Sequence, residues 1–413
     1  MRRLKSFCLI GSPMISVEEA SALISSQVRP LYSRSVLLSQ LAKHHTLLDR
    51  FYADRPYPPF DRVMMDGIAV DLRYERSTWK IQCVQRAGDQ RVKLHEDQAI
   101  EIMTGAVLPE HANAVIRYED LRIEGDVAQL LEPIRKTPFM NVHRMGSDCW
   151  AGDCVVREDS SLTAAQIGVL ASIGQTELRA VSSPKIAIVG TGDELVDPSG
   201  VPSAVQIRAS NIYALRFACQ SLGCPDTSIF LCKDSPEDMF SLFQEALQNH
   251  DLLIISGSVS KGKFDFAPAV LSDLGVKNVF HRVRQKPGKP LWFGLSENEK
   301  PVFGLPGNPQ SSLVCFYRYV ALAIDKLMAR TQKKNFYSRL ANKLPRRVPD
   351  LTHFIPVRVS IDEQAVFSAE VIDNQGSGDF INFAKADGFI EIPAGDEEVP
   401  GTVYKVYIWG GYL

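Results

Sequence analysis

The chain has 413 residues, of which 45% are hydrophobic and 23% charged, and its formal net charge at pH 7 is −2. This composition is typical of a globular protein large enough for about three domains. The small net charge argues against a nucleic-acid or membrane-surface role for the chain as a whole. No apolar stretch approaches the ~20 residues of a membrane-spanning helix.

The cysteines and the N-terminus favour a cytoplasmic protein. None of the eight cysteines forms a Cys-x-x-Cys pair, so reduced core residues are expected rather than a metal site or a disulfide framework. The apolar run at 7–10 is too short for the core of a secretory signal peptide. We therefore expect a cytoplasmic protein that binds neither nucleic acid nor a membrane.

The first 180 residues are predicted to combine helices with one β-rich stretch. Ser16 and Glu19 form a capping box in front of a helix that runs to about residue 28. The proline-rich segment 55–60 is a stiff linker and the first candidate domain boundary. Residues 60–142 contain short strand patterns with little helical periodicity, which predicts a small β-rich unit. Helical periodicity returns at 163–173.

Residues 181–329 show the clearest pattern, because strands and helices alternate. Such alternation indicates right-handed βαβ crossovers and a mostly parallel sheet. The predicted strands are 185–189, 227–231, 251–256, 291–293 and 302–303, and the predicted helices are 211–222, 236–247, 266–274 and 309–328. Beyond residue 330 only strand patterns follow, at 352–359, 365–372, 389–392 and 402–408, and they predict a small β-barrel domain.

Two loops follow the first and third strands of this domain, where ligands bind in open α/β sheets. The loop after the first strand carries adjacent carboxylates, Asp193 and Glu194, which are candidate ligands for Mg²⁺. A tight turn that ends the strand explains the same residues equally well. The loop after the third strand carries Ser258 and Ser260, which suit phosphate or carbonyl contacts, although a solvated turn is an equal alternative.

Two proline-punctuated loops near 286–311 predict an anion site. Lys286 and Lys289 stand three residues apart in a Lys-Pro-Gly-Lys-Pro sequence that ends at Pro290. The second loop, Leu-Pro-Gly-Asn-Pro, runs from Leu305 through Pro306 to Asn308 and Pro309 and opens a helix. Asn308 is the expected N-cap, Pro309 the first helical residue, and Ser311 lies near the positive end of the helix dipole. The alternative interpretation of the lysines is a solvated charged face, and that of the Leu-Pro-Gly-Asn-Pro loop is a simple helix cap.

The β-rich region adds three turn residues to the candidate site. They are Asp66 in Met-Met-Asp-Gly, Thr104 in Met-Thr-Gly-Ala, and Asp148 in Met-Gly-Ser-Asp. An acidic residue beside glycine in a turn is usually structural, so each is ambiguous by itself.

Together the loops resemble the molybdopterin molybdenumtransferase family, which includes MoeA and the gephyrin E domain. The motifs that carry the resemblance occur in the family's order and span essentially the whole chain. They are Pro59-Phe60-Asp61 to Met65-Asp66-Gly67, Met103-Thr104-Gly105-Ala106, Gly190-Thr191-Gly192-Asp193-Glu194-Leu195, Lys286-Pro287-Gly288-Lys289-Pro290 and Leu305-Pro306-Gly307-Asn308-Pro309.

The resemblance implies an α/β multidomain subunit with a three-layer molybdopterin-binding domain, an inserted β domain and a C-terminal barrel. The implied domains are 14–58 with 143–180, 59–142, 181–329 and 330–413. It also implies a homodimer whose active site combines two subunits, and a molybdopterin adenylyltransferase is a candidate partner. The implied reaction inserts molybdate into adenylylated molybdopterin with Mg²⁺ and releases AMP and molybdenum cofactor.

The resemblance also assigns roles to residues. Lys286, Lys289 and Ser311 would hold molybdate, and Asp193 with Glu194 would hold the metal ion. The pterin side would be lined by Asp66, Thr104 and Asp148. The remaining substrate contacts would come from Ser258, Ser260, Pro290, Pro306, Asn308 and Pro309.

Several residues depart from the family's pattern. Ala209 stands where a carboxylate is expected, and His143 and Ser147 replace an arginine and a glutamate. Glu101, Ile68, Ser258 and Lys261 are further departures. Two other hypotheses therefore stand beside the enzyme: a catalytically weakened paralogue that binds pterin or acts as a scaffold, and an enzyme for another oxyanion such as tungstate.

Overall fold

The computed structural model describes residues 14–42, 44–158, 162–259, 265–331, 335–345, 347–373, 375–396 and 401–409. Ser260, Lys261 and Cys8, which the sequence analysis singles out, lie outside these ranges. The described residues form two compact units. The large unit lies within Met1–Leu48, Asp159–Leu162 and Glu177–Leu413, and the small unit comprises Asp49–Glu158 and Thr163–Thr176.

Eight α-helices are present in the described ranges. They are α1 (Val17–Gln27), α2 (Ala164–Ser172), α3 (Ser210–Ser221), α4 (Pro236–Asn249), α5 (Ala267–Asp273), α6 (Pro309–Cys315), α7 (Ala321–Leu327) and α8 (Phe380–Phe383). The predicted capping box of α1 is confirmed, because the Ser16 hydroxyl accepts from the Glu19 N–H and the Glu19 carboxylate accepts from the Ser16 N–H. The predicted helix 309–328 is continuous, with a π-helical turn at Phe316–Val320 between α6 and α7.

Twenty-seven β-strands are present in the described ranges. The first are β1 (Arg34–Leu37), β2 (Thr46–Leu47), β3 (Phe51–Tyr52), β4 (Arg62–Val63), β5 (Gly67–Val70), β6 (Thr78–Gln85) and β7 (Gln98–Ile102). Next come β8 (Ala114–Arg117), β9 (Leu121–Glu124), β10 (Val127–Leu130), β11 (Val142–His143), β12 (Cys154–Val156) and β13 (Glu177–Val181). The α/β region contains β14 (Ile186–Thr191), β15 (Leu195–Val196), β16 (Ile207–Arg208), β17 (Thr227–Cys232), β18 (Leu252–Ser256), β19 (Lys277–His281), β20 (Gln285–Lys286), β21 (Trp292–Leu295) and β22 (Pro301–Leu305). The last are β23 (Phe336–Leu340), β24 (Thr352–Ile361), β25 (Phe367–Val371), β26 (Gly388–Ile392) and β27 (Val403–Ile408).

The large unit contains a six-stranded sheet in the order β17-β14-β18-β22-β21-β19. Its first four strands are parallel, whereas β21 and β19 join antiparallel at one edge. The residues of β14, β18 and β22 are all buried, as expected for strands with helices on both faces. The predicted mostly parallel α/β domain is confirmed, and its parallel strands direct their carboxyl ends to one edge.

The C-terminal region of the large unit is a closed barrel. Strands β24, β25, β23, β27 and β26 pair in that order, and β26 pairs back with β24. This confirms the predicted β-barrel. The short strand β20 pairs in parallel with the start of β24, where Lys286 lies opposite His353. The barrel is therefore attached directly to the lysine loop of the α/β domain.

The small unit is built on a six-stranded sheet in the order β8-β5-β7-β6-β10-β9. Two additional pairs of short strands, β4 with β11 and β3 with β12, flank this sheet in the chain. The sheet confirms the predicted β-rich character of this stretch. Within the described ranges, no helix is both long enough and apolar enough to cross a membrane.

Candidate active site

A buried polar network holds the backbone of the lysine loop, residues 286–290, in place. The Gln285 side chain, 1% exposed, donates to the carbonyl oxygens of Pro287 and Gly288 at 3.2 Å each. Its own oxygen accepts a hydrogen bond from the Tyr319 hydroxyl of the π-helical turn. Burial holds the pKa of Tyr319 well above its usual range, so the hydroxyl remains a donor. The loop backbone is thus tied to the core while Lys286 remains exposed.

Gly288 occupies a position that only glycine fits. Its φ is +87°, and a Cβ placed on it would lie 2.5 Å from the Cys315 sulfur and 2.7 Å from the Gln285 amide nitrogen. Since both neighbours are buried in the core, the loop backbone approaches α6 as closely as it does only because the side chain is absent.

A cavity of about 670 Å³ opens beside this loop. Six of the predicted site residues line it: Lys286, Lys289, Pro290, Pro306, Asn308 and Ser311. The barrel contributes a wall that includes His353 and Ser377. Both lysine side chains are exposed, and Ser311 is 4% exposed. The cavity therefore combines two cations with hydroxyl and amide donors, which suits a small polyanion.

Asn308 differs from its predicted role. It stands at the N-cap position of α6, but its side chain does not cap the helix. Instead its amide donates to the Ser377 hydroxyl at 2.9 Å. The asparagine therefore connects the Leu-Pro-Gly-Asn-Pro loop to the barrel at the lining of the cavity.

Asn211 is a contact that the sequence analysis did not assign. Its amide donates to the Gly307 carbonyl at 2.7 Å and to the Ser256 hydroxyl at 3.0 Å. It thus ties the loop after β22 to the end of β18. Its position at the start of α3, beside the carboxyl ends of the strands, is the feature from which a role at the site could have been predicted.

The two predicted metal ligands lie at the same sheet edge, after β14. Asp193 and Glu194 are both exposed. Asp193 accepts the backbone N–H of Asp234 at 3.2 Å, and the Asp234 carboxylate accepts the Ser258 hydroxyl at 2.6 Å. Asp234, two residues after the end of β17, was also missed by the sequence analysis. Across the described ranges, no group of three or more histidine, cysteine or acidic side chains is placed to hold a metal ion by itself.

In the small unit, Asp66 and Thr104 are in direct contact. The Thr104 backbone N–H and hydroxyl both donate to one Asp66 oxygen, at 2.6 and 2.9 Å. These two bonds, the backbone N–H first, hold the pKa of Asp66 below its usual value. The two bonds therefore favour the ionised form of Asp66.

Asp148 is paired with His143 of strand β11. The His143 Nε2 and Asp148 Oδ1 atoms are 2.7 Å apart, and the other ring nitrogen lies 3.1 Å from an Arg62 nitrogen.

Strand β4 brings the two parts of the small-unit site together. On one side, Val63 exchanges backbone hydrogen bonds with Gly105 and Ala106 of the Thr104 turn. On the other, Val63 pairs with Val142 of β11, next to His143. The Thr104 and Asp148 turns thus flank one short strand.

The structure brings the predicted residues together in three groups. The cavity collects Lys286, Lys289, Pro290, Pro306, Asn308 and Ser311, with Pro309 adjacent in α6. Asp193, Glu194 and Ser258 occupy the sheet edge, and Asp66, Thr104 and Asp148 belong to the small unit.

Comparisons with known families cover most of the chain. The model of the MoeA N-terminal region (domain I and II) matches residues 15–174. A model described as a probable molybdopterin binding domain matches 187–326, and the MoeA C-terminal region (domain IV) matches 338–409.

Full-length relatives agree with these matches. The molybdopterin molybdenumtransferase of Synechocystis is 36% identical over 402 residues, which cover 96% of this chain and 100% of that protein. The enzyme of the same name from Haemophilus influenzae is 31% identical, over 91% of this chain and 94% of that protein. A crystal structure of a molybdopterin biosynthesis MoeA protein from Pyrococcus horikoshii superimposes with a TM-score of 0.76 at 27% identity, over 97% of this chain and 100% of that one. With its three regions in this order and relatives that match from end to end, the chain belongs to the molybdopterin molybdenumtransferase family.

Proposed function

We propose that this chain inserts molybdate into adenylylated molybdopterin and releases AMP and molybdenum cofactor. The observation that carries the proposal is the cavity in which Lys286, Lys289 and Ser311 converge beside Ser377. Molybdate is a compact tetrahedral dianion, so it requires several fixed donors and positive charge within a small volume. The cavity supplies both, and membership of the transferase family supports the assignment.

The lysine loop is suited to this role because its backbone is held in place before a ligand arrives. Gln285 and Tyr319 fix the loop backbone through the core, and Pro290 and Pro306 form rigid walls. Preorganised donors lose little entropy when the anion binds, and they can stabilise charge that develops during the reaction.

The pterin side of the substrate is assigned to Asp66, Thr104 and Asp148. Asp66 and Asp148 provide carboxylates that can accept hydrogen bonds from the donor groups of a pterin ring. Thr104 favours the ionised form of Asp66 through its two hydrogen bonds. These roles rest on the family's pattern and on the contacts within the small unit.

Asp193 and Glu194 fit a magnesium ion that is shared with the substrate. Two exposed carboxylates are too few for a protein-only cage, but Mg²⁺ characteristically binds one or two carboxylates together with substrate phosphate oxygens. When bound, the ion would neutralise charge on the phosphates of the anhydride bond. Asp193 and Glu194 would orient it, and Ser258 would support them through its hydrogen bond to Asp234.

A cytoplasmic homodimer with its active site shared between subunits completes the proposal. Mixing a Lys286→Ala protein with an Asp148→Asn protein tests the shared site. If each site takes Lys286 from one subunit and Asp148 from the other, random re-association should restore about a quarter of the wild-type activity. No recovery in re-associated mixed dimers would place both residues in the same subunit's site.

The central experiment measures AMP release from adenylylated molybdopterin by the purified protein with molybdate and Mg²⁺. We expect molybdate-dependent release that Lys286→Ala abolishes without unfolding the protein, because this side chain is exposed. The matched control is Lys277→Ala, an equally exposed lysine on β19 outside the cavity. Absence of AMP release by the wild-type protein, or full activity of Lys286→Ala, would refute the proposal.

Neither alternative hypothesis gains support. The relatives carry the name of an enzyme, and nothing in them favours a pterin-binding scaffold. Competition between molybdate and tungstate in the AMP-release assay would separate the two oxyanions.

A further inference from the structure

A chain of hydrogen bonds runs from Arg62 through His143 to Asp148 in the small unit. The Arg62 Nη2 lies 3.1 Å from the His143 Nδ1, and the His143 Nε2 lies 2.7 Å from the Asp148 Oδ1. His143 stands where the family resemblance leads one to expect an arginine, so this arrangement is a feature of this chain's own sequence.

The chemistry of the three groups fixes the direction of both bonds. A guanidinium group has only donors, so the His143 Nδ1 must accept from Arg62. The ring proton is then on Nε2 and is donated to Asp148. Arg62 therefore selects the neutral Nε2–H tautomer of His143, and every donor in the chain points toward the carboxylate.

The backbone holds the three residues in this order. Arg62 and His143 are direct partners in the antiparallel pairing of β4 with β11. The Asp148 N–H donates to the Tyr57 carbonyl at 3.0 Å, and the turn between is held where the Met145 N–H donates to the Asp61 carboxylate at 2.8 Å. The alignment is thus built into the fold rather than dependent on two flexible side chains.

One oxygen of Asp148 remains available. Its Oδ1 atom accepts from His143 and, at 3.4 Å, from the Ser147 hydroxyl. Within the described ranges, no hydrogen bond is directed at its Oδ2 atom, and the Asp148 side chain is 55% exposed. A ligand can therefore reach Oδ2 while Oδ1 is held.

We propose that His143 is a positioning residue that orients Asp148 so that its Oδ2 faces the pterin nucleotide. The inference rests on the proposed function, since it assumes that Asp148 contacts the substrate. In this chain, a ring that accepts from Arg62 and donates to Asp148 stands at the position where the family's pattern has an arginine.

The decisive variants differ in whether they can both accept and donate. His143→Ala removes the donor to Asp148, and we expect kcat for AMP release to fall about 10- to 100-fold, with a smaller change in KM. Glutamine offers one acceptor and one donor, as the Nε2–H tautomer does, so His143→Gln should recover most of kcat. His143→Arg offers only donors and should not recover it, because it cannot accept from Arg62. The control is His95→Ala, an exposed histidine of the same unit, which should leave kcat unchanged.

A double-mutant cycle tests the connection to Arg62. Arg62→Ala should lower kcat in the wild-type background and should have little further effect when His143 is alanine. A merely structural role for either residue would appear as additive losses accompanied by a lower melting temperature. Wild-type kcat in His143→Ala, or recovery by arginine but not by glutamine, would overturn the inference.

Imidazole nitrogen NMR of the wild-type protein separates this inference from the proposed function. The His143 signals, assigned by their loss in His143→Gln, should report a proton on Nε2 and none on Nδ1, and Arg62→Ala should change this pattern. That result does not require turnover, so an inactive wild-type protein would refute the reaction without refuting the hydrogen-bond chain. A proton on Nδ1 would overturn the chain itself.

Discussion

Replacing Gly288 by alanine should damage the anion site more than the rest of the fold. With φ at +87°, an added Cβ costs about 1–2 kcal/mol in backbone strain. The same Cβ would lie 2.5 Å from the Cys315 sulfur and 2.7 Å from the Gln285 nitrogen, and overpacking of this kind costs about 1–3 kcal/mol. The combined penalty is therefore about 2–5 kcal/mol if the loop stays in place.

The loop can escape most of this penalty by moving away from α6. Cys315 and Gln285 are 0% and 1% exposed, so they have little room to yield. A displaced loop would lose the hydrogen bonds from Gln285 to the Pro287 and Gly288 carbonyl oxygens and would move Lys286 away from the cavity. Since a hydrogen bond to a charged group is worth about 1.5–3 kcal/mol, we expect molybdate affinity to fall about 10- to 100-fold.

The assay compares two glycines with the same backbone requirement. Gly395 has φ +74°, and a Cβ placed on it would meet nothing within 4 Å. Gly395→Ala therefore carries only the backbone penalty and should keep wild-type molybdate affinity. Molybdate binding by calorimetry and urea unfolding are measured for both variants. If Gly288→Ala matches Gly395→Ala in affinity and in stability, the close packing beneath the lysine loop does not position the lysines.

Three other perturbations test separate parts of the structure. Thr104→Val removes the hydroxyl bond to Asp66 but keeps the N–H bond, so the pKa of Asp66 should rise. The acid limb of the pH–rate profile should then move to higher pH, and an unmoved limb would contradict the role of Asp66. Ala209→Asp supplies the missing N-cap of α3 and a carboxylate, so we expect a lower Mg²⁺ concentration for half-maximal AMP release. An unchanged concentration would mean that another group binds the metal ion. Glu391→Leu leaves the buried Arg318 guanidinium without its carboxylate and should lower the free energy of unfolding in urea by about 3–5 kcal/mol. Adding Arg318→Met should recover much of this loss, and no recovery would mean that the ion pair is not its cause.

The arrangement of the large unit could be predicted because its signals are local. The buried runs of β14, β18 and β22 alternate with amphipathic helices, and parallel strands necessarily present their following loops at one edge. That rule alone brings Asp193 and Ser311 to the same edge of the sheet before any contact is known.

Ser377 could not be predicted in the same way. It belongs to a Gly-Ser-Gly stretch of the barrel, and its contact with Asn308 joins residues 69 positions apart. No periodicity specifies that contact, because it follows from how the barrel attaches through β20. The same contact explains why the predicted Asn308 cap is wrong in its side chain: an N-cap needs the side-chain oxygen to accept from the first helical turn, whereas this contact turns the amide toward Ser377.

The small-unit site shows a second limit of sequence reasoning. Strands β4 and β11 have two residues each, too few for an alternating pattern to reveal their register. Yet it is this register that sets Arg62 opposite His143. From the sequence, His143 was therefore a missing arginine, whereas in the structure it is the middle member of a hydrogen-bond chain.

These two regions suggest why the departures from the family's pattern leave the fold intact. The groups that hold the loops in place are backbone atoms and buried side chains such as Gln285 and Tyr319, and they do not depend on the departing residues. His143 is partly exposed, whereas the small side chain of Ala209 is buried in the core of the large unit. A change at a partly exposed position such as His143 alters charge and orientation at the site without removing a core contact. The effect of the His143 departure should therefore appear in kcat rather than in stability.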